Sequence, residues 1–173
     1  LLLIDANNMV HRAYHGFSHD PTNDDLLTNF KTMFNKTNKE FNPPYIATVF
    51  DHPEKNLRHQ LFSEYKATRE RKEDMQTKME PVRNWVGNHF PYFCIEGYEA
   101  DDVIATLVLK AENHGGFNVT IVSSDKDLLQ LVSDKTSVYN AQAKKLYKRN
   151  DVFDKFGVYP ESMVDYLALL GDE

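Results

Sequence analysis

Apolar and polar positions fall in blocks along this chain, and the length of each block names an element. Leu1 to Ile4 is an unbroken apolar run that stops at Asp5, as expected of a short strand buried on both faces. Asn7-Asn8 lead into Met9-Val10-His11-Arg12-Ala13-Tyr14, which reads as a helix. Residues 18–25 are polar with one Pro and read as a loop. A second helix starts at Asp24 or Asp25 and carries the core stripe Leu26, Leu27, Phe30, Met33 and Phe34. Pro43-Pro44 breaks the chain before a second buried strand, Tyr45 to Phe50, which also ends in an acid, Asp51. Met79 to Phe90 reads as a helix around Val82, Trp85 and Val86, with Pro81 tolerated near its start. Tyr92 to Ile95 is a third strand.

Next comes Gly97-Tyr98-Glu99-Ala100-Asp101-Asp102. Beyond it, Ile104, Leu107, Val108 and Ala111 repeat at helical spacing, so a helix begins near Glu99; Gly115-Gly116 ends it. Asn118 to Val122 is a fourth strand and closes on Ser123-Ser124-Asp125-Lys126-Asp127. Leu128, Leu129 and Leu131 begin another helix, Thr136 to Asn140 reads as an edge strand, and Met163 to Leu170 is the last helix. Strands alternating with helices predict an α/β fold with a mainly parallel sheet. No internal repeat, low-complexity tract or linker divides the chain, so residues 1–173 read as a single domain.

Composition narrows the class without choosing the function. Hydrophobic content of 41% and charged content of 27% are ordinary for a globular domain, and 173 residues suffice for a sizeable core. The lone cysteine, Cys94, allows no disulfide within the chain, which fits a reducing cytoplasm. There is no run of eighteen apolar residues and no signal peptide, so no membrane association is expected. The chain opens on Leu1 without a Met and stops just after a helical run, so both ends read as cut.

Net charge is −6, which at first argues against a nucleic-acid partner. The distribution alters that picture. Asp5, Asp51, Asp125 and Asp127 follow the ends of predicted strands. Glu99, Asp101 and Asp102 crowd one helix start, and Asp172 follows a helix end. A helix N-terminus favours an acid by ~0.3–1 kcal/mol, which accounts for one or two of these groups. Two ionised carboxylates at ~4 Å cost on the order of 4 kcal/mol at an effective dielectric of 20, so three at one helix start splay into water or hold a cation. Asp5 alone has two readings, a cap for the following helix or a ligand at a sheet edge. All eight acids are oxygen donors with no Cys–His pattern beside them, which favours Mg²⁺ or Mn²⁺ over Zn²⁺. Two such ions would offset four of the six excess negatives. At ~3.5–4 Å apart they would form the two-metal arrangement used for in-line displacement at phosphorus.

Residues 55–72 differ in character. They hold six basic side chains (Lys55, Arg58, Lys66, Arg69, Arg71, Lys72) against two acids, with Phe62 and Tyr65 interleaved. The segment reads either as a solvated helical face or as a stretch that meets phosphates. A second basic patch spans Lys144, Lys145, Lys148 and Arg149.

Five motifs then stand in order: Val49-Phe50-Asp51, Tyr65-Lys66-Ala67-Thr68-Arg69, Gly97 to Asp102, Ser124-Asp125-Lys126-Asp127, and Leu169-Leu170-Gly171-Asp172-Glu173. Together they resemble the 5′ nuclease (flap endonuclease) family, which includes phage enzymes and the 5′–3′ exonuclease domain of bacterial DNA polymerase I. The resemblance implies a PIN-like three-layer fold with a helical-arch insertion around residues 55–80. It implies metal-dependent cleavage of flapped or 5′-ended DNA, with an RNA primer–DNA hybrid as a further substrate, by a monomer. By motif match, Asp5, Asp51, Glu99 and Asp101 would hold a first metal and Asp125, Asp127 and Asp172 a second, with Asp102 near both. Lys66 and Arg69 match the base of the arch and, with Asp102, would be catalytic. Arg12, Tyr14, Lys55, Arg58, Arg71 and Lys72 join Lys66 and Arg69 as expected DNA contacts; Tyr14 reads equally well as core. The loop at 18–25 is short and lacks the family's glycines. A further family acid, three residues after Asp172, and the helix-hairpin-helix segment with its K⁺ lie beyond Glu173. The alternatives are a PIN-type ribonuclease and a catalytically silent nucleic-acid-binding relative.

Overall fold

The computed structural model describes residues 1–54, 57–62 and 73–171, with the side chains of residues 59, 60 and 73–76 left aside. A six-stranded sheet forms its middle layer: β1 (Leu2–Asp5), β2 (Ile46–Phe50), β3 (Tyr92–Cys94), β4 (Val119–Val122), β5 (Thr136–Asn140) and β6 (Lys145–Tyr147). Their spatial order is β3-β2-β1-β4-β5-β6. The pairings among β1 to β5 are parallel, and β6 runs antiparallel to β5. Seven α-helices accompany the described sheet: α1 (Ala6–Tyr14), α2 (Asn23–Phe41), α3 (Leu57–Leu61), α4 (Glu73–His89), α5 (Ala100–His114), α6 (Arg149–Phe156) and α7 (Met163–Leu170).

Strand alternation splits the core into two apolar layers. Leu2 and Ile4 of β1 face one way, with Phe50, Val122 and Tyr139, against α1, α2 and α4. Leu3 faces the other way, with Ala47, Val49, Val119, Ile121 and Val138, against α5 and the C-terminal helices. That is why β1 reads as continuously apolar: both of its faces are covered. The first layer holds an aromatic group in which the Phe34 ring lies 4.8 Å from Phe90 and 5.5 Å from Trp85. Phe30, Phe34 and Phe50 are fully buried, each contributing roughly 1.5–3 kcal/mol through removal from water.

Three boundaries differ from the sequence expectation. The helix expected from Met79 begins at Glu73, so Pro81 sits inside α4 rather than near its start. Thr136–Asn140 is not an edge strand, because β6 pairs outside it. Helix α6 was not anticipated; it is stopped by Gly157 at φ 75, in the left-handed region that favours glycine.

The strand order fixes where a site can form. From β1 the chain builds outward through β2 and β3, then crosses back to place β4 on the other side of β1. Ligands in such sheets bind beyond the carboxyl ends of the strands at this reversal. Asp5 ends β1 there, Asp51 follows β2, and Ser123 to Asp125 follow β4.

Candidate metal centre

Asp5 fulfils its cap reading and stands at the sheet edge where the ligand reading would place it. It is the N-cap of α1, accepting from the Asn8 backbone N–H at 3.0 Å, and its other oxygen accepts from Ser123 Oγ at 2.9 Å. The side chain is buried, and its pKa is pushed up to about 7. Loss of water is the main cause; the two hydrogen bonds oppose the shift, and the charges of Asp51 and Asp125 add to it. The carboxylates following the three central strands therefore feel one another.

Asn7 and Asn8 brace this edge, a role that their place at a helix start did not announce. Asn7 Nδ2 donates to Asp51 Oδ2 at 2.8 Å, and the Asp51 backbone N–H donates to Asn7 Oδ1 at 3.0 Å. Asn8 turns to the opposite strand, where its Oδ1 accepts from the Ser124 backbone N–H at 3.0 Å. Consecutive helix positions point about 100° apart, so one asparagine pair reaches a neighbour on each side of β1. The available signal was two carboxamides directly behind a strand-ending acid.

The second oxygen of Asp51 accepts from the Ala100 N–H at 2.7 Å, which ties β2 to the start of α5. Glu99 is the N-cap of that helix, and the Glu99 N–H donates to Asp102 Oδ2 at 3.1 Å. Asp101 accepts from the Asp102 N–H and has a raised pKa, chiefly through burial and then through the charge of Asp102. Across the sheet end, Asp125 caps the 3₁₀ turn Lys126–Leu131 by accepting from the Asp127 N–H at 2.9 Å. Ser123 Oγ, which donates to Asp5, also accepts from the Asp125 N–H at 3.1 Å.

Two features of the folded chain bear on the expected site. Arg58, expected among the DNA contacts, grips Asp102 through both terminal nitrogens at 2.6 and 2.7 Å and reaches Glu99 at 3.4 Å. Among the described residues, no group of three or more Asp, Glu, His or Cys side chains is set to hold an ion. The geometry gives the reason, since Asp51 and Asp102 direct their oxygens at N–H donors and Asp125 bends back onto its own turn. The donor chemistry nonetheless fits a hard divalent cation. Every contributor is an oxygen, and Asp5 and Asp101 are held in surroundings that penalise their charge.

Of the other expected residues, Tyr14 donates its hydroxyl to Asp20 at 2.8 Å, and the Lys78 ammonium lies 5.1 Å from its ring centroid. Lys78 is itself buried and bonds the same Asp20 oxygen at 2.6 Å, a pairing the sequence did not announce. Arg12 is half-buried on α1 and feels the Tyr139 hydroxyl. In the second basic patch, Lys145 pairs with Asp151 and Arg149 with Glu161. Lys55, Lys66, Arg69, Arg71, Lys72 and Asp172 lie outside the described residues, as do positions 55–56 and 63–72 of the expected arch.

A 5'-3' exonuclease of Aquifex aeolicus is 36% identical over 180 residues, covering 100% of this chain and 62% of the relative. DNA polymerase I of Rhizobium leguminosarum is 36% identical over 187 residues, covering 99% of this chain and 18% of the polymerase. Among solved structures, a bacteriophage T5 flap endonuclease in a pseudo-enzyme-product complex with DNA and metal ions gives a TM-score of 0.78 at 23% identity. The likeness covers 99% of this chain and 66% of that one, and it speaks for the fold, the PIN-like architecture expected. The chain spans less than two thirds of the length of the Aquifex relative. Residues 1–157 match the family described as 5'-3' exonuclease, N-terminal resolvase-like domain. That match takes in the whole sheet and every described acid of the site, and the chain belongs to this family.

Proposed function

We propose that this domain is a divalent-metal-dependent, structure-selective 5′ nuclease that hydrolyses DNA phosphodiesters as a 5′–3′ exonuclease and flap endonuclease. It would work on 5′ flaps or RNA primers in the cytoplasm, as a monomer. The observation that carries the reading is the meeting of Asp5, Asp51 and the Ser123–Asp125 segment at the carboxyl ends of three adjacent parallel strands, with α5 started by Asp51 itself. The names of the relatives support it: 5'-3' exonuclease, DNA polymerase I and flap endonuclease.

On this reading Asp5, Asp51, Glu99 and Asp101 would hold one Mg²⁺ or Mn²⁺, and Asp125, Asp127 and Asp172 a second, with Asp102 near both. Such a pair supplies a water of lowered pKa and charge stabilisation at the leaving oxygen. The chain's own groups have other work. Ser123 keeps Asp5 oriented, and Asn7 keeps Asp51 turned toward the start of α5. Lys66 and Arg69 are assigned to the reacting phosphate, where a fixed positive charge favours the transition state. Arg71, Lys72, Lys55, Arg12 and Tyr14 are assigned to the DNA strand.

The test is cleavage of a 5′-labelled flap duplex in Mg²⁺ against the same reaction in excess EDTA. Release of the flap in Mg²⁺ alone is expected, and activity that survives the chelator overturns the metal reading. Preference for single-stranded RNA over the flap would favour a PIN-type ribonuclease instead.

A further inference from the structure

Arg58 stands at the boundary between α3 and the metal centre. The Leu57 backbone N–H donates to the Gly97 carbonyl at 3.0 Å, which docks α3 beside the turn leading into α5. From there the Arg58 guanidinium forks onto both oxygens of Asp102, at 2.6 and 2.7 Å, and one of its nitrogens lies 3.4 Å from Glu99. Asp102 Oδ2 also accepts from the Glu99 N–H, so it already has two donors. A carboxylate oxygen offers about two lone-pair sites, so a divalent ion cannot take Asp102 Oδ2 in this arrangement unless the fork opens. The pair is not sealed in the core: the Arg58 side chain is 39% exposed and that of Asp102 29%. Both partners can therefore return to water when they separate, without leaving a buried unpaired charge.

We propose that Arg58 is an internal counter-cation of the metal centre. It neutralises Asp102 and Glu99 in the metal-free protein and must release them before Mg²⁺ or Mn²⁺ binds those oxygens. The inference rests on the metal reading above and deepens it. One site then has two rival cations, one of them tethered to α3. Ion binding and the position of α3 are linked, and the linkage is reciprocal: whatever holds α3 away from Gly97 raises metal affinity by the factor by which metal loosens α3.

The experiment measures Mn²⁺ binding by electron paramagnetic resonance of the free ion, using EDTA-stripped wild-type protein, Arg58→Met and Arg58→Lys. Arg58→Met keeps the apolar stem and removes the charge. It is expected to bind Mn²⁺ roughly tenfold or more tightly than wild type, because no charged hydrogen bonds have to be broken first. The stripped variant is expected to melt below the stripped wild type. Arg58→Lys keeps the charge but loses the planar fork, and it should fall between the two. A second readout needs no variant: nitrogen NMR of the arginine side chains should show one guanidinium with hindered rotation that becomes free on adding Mg²⁺. Wild-type Mn²⁺ binding with no gain in Arg58→Met, or an unchanged guanidinium signal in saturating Mg²⁺, overturns the counter-cation role and leaves the metal reading intact. Absence of Mn²⁺ binding in all three proteins overturns the metal reading and this inference with it.

Discussion

Asn7 and Asp51 hold each other by two hydrogen bonds, one from carboxamide to carboxylate at 2.8 Å and one from backbone N–H to carboxamide at 3.0 Å. They stand 44 positions apart in the chain. The pair fixes one acid of the site and locks the carboxyl end of β2 to the first turn of α1. Asn7→Ala is therefore expected to cost about 1–3 kcal/mol, since it leaves two partly buried polar groups without their partner. Urea denaturation in EDTA measures this, and a loss within the ~0.5 kcal/mol typical of neutral surface changes would show that the brace is dispensable.

The titration of Asp5 predicts how the metal-free protein responds to pH. Its folded-state pKa is pushed up to about 7, above the ordinary carboxylate value of 3.8, so the folded chain holds the proton more tightly than the unfolded chain. The stabilising contribution is complete below the unfolded value and is lost as pH rises through about 7. In EDTA the melting temperature should fall between pH 5 and pH 8, and Asp5→Asn should flatten that slope. Mg²⁺ at pH 8 should restore the lost stability by binding the folded state. A wild-type melting temperature that rises across this range in EDTA would contradict the assignment.

Asp102→Asn separates chemistry from binding. On the proposed reading the substitution removes a negative charge from a site that accepts phosphate, so affinity for flap DNA should hold or rise. Turnover should fall by orders of magnitude. Filter binding in Ca²⁺ and single-turnover cleavage in Mg²⁺ give the two numbers; equal losses in both would point to damaged folding instead.

Lys66→Ala tests the assignment of the basic segment. Loss of a single charge aimed at a transition state typically costs ~10²-fold or more in rate. A single-turnover rate equal to wild type would place Lys66 away from the reacting phosphate.

Much of this architecture was written in local pattern, and the failures have physical causes. Strands β1, β2 and β4 were legible because sheet neighbours and two helix layers cover them, leaving apolar runs that end in acids. β5 was misplaced as an edge because β6 is three residues long and follows a turn without Gly or Pro, with Lys144 supplying the positive φ of 51. α6 escaped because Val152 is its only fully buried side chain and no Ser or Thr marks its start, where the Lys148 N–H donates to Asp151 instead. The start of α4 was set late because the residues before Met79 carry little apolar periodicity. In the site, the acids were legible as strand-end punctuation. Their braces were not, because Asn8 meets Ser124 across 116 positions and Arg58 meets Asp102 across 44. A partner that distant leaves no mark on its neighbours in sequence.

The strand order also sets a timetable for the growing chain. β1 is made first, yet its flank on the β4 side stays open until Val119–Val122 arrives. Ser123, which fixes one oxygen of Asp5, is 118 positions downstream of it. On a ribosome adding about 5–20 residues per second, β1 therefore waits several seconds or more for the partner that completes its acid cluster. A nascent chain shorter than that still lacks Asp125, Asp127 and Asp172, the acids assigned to the second metal.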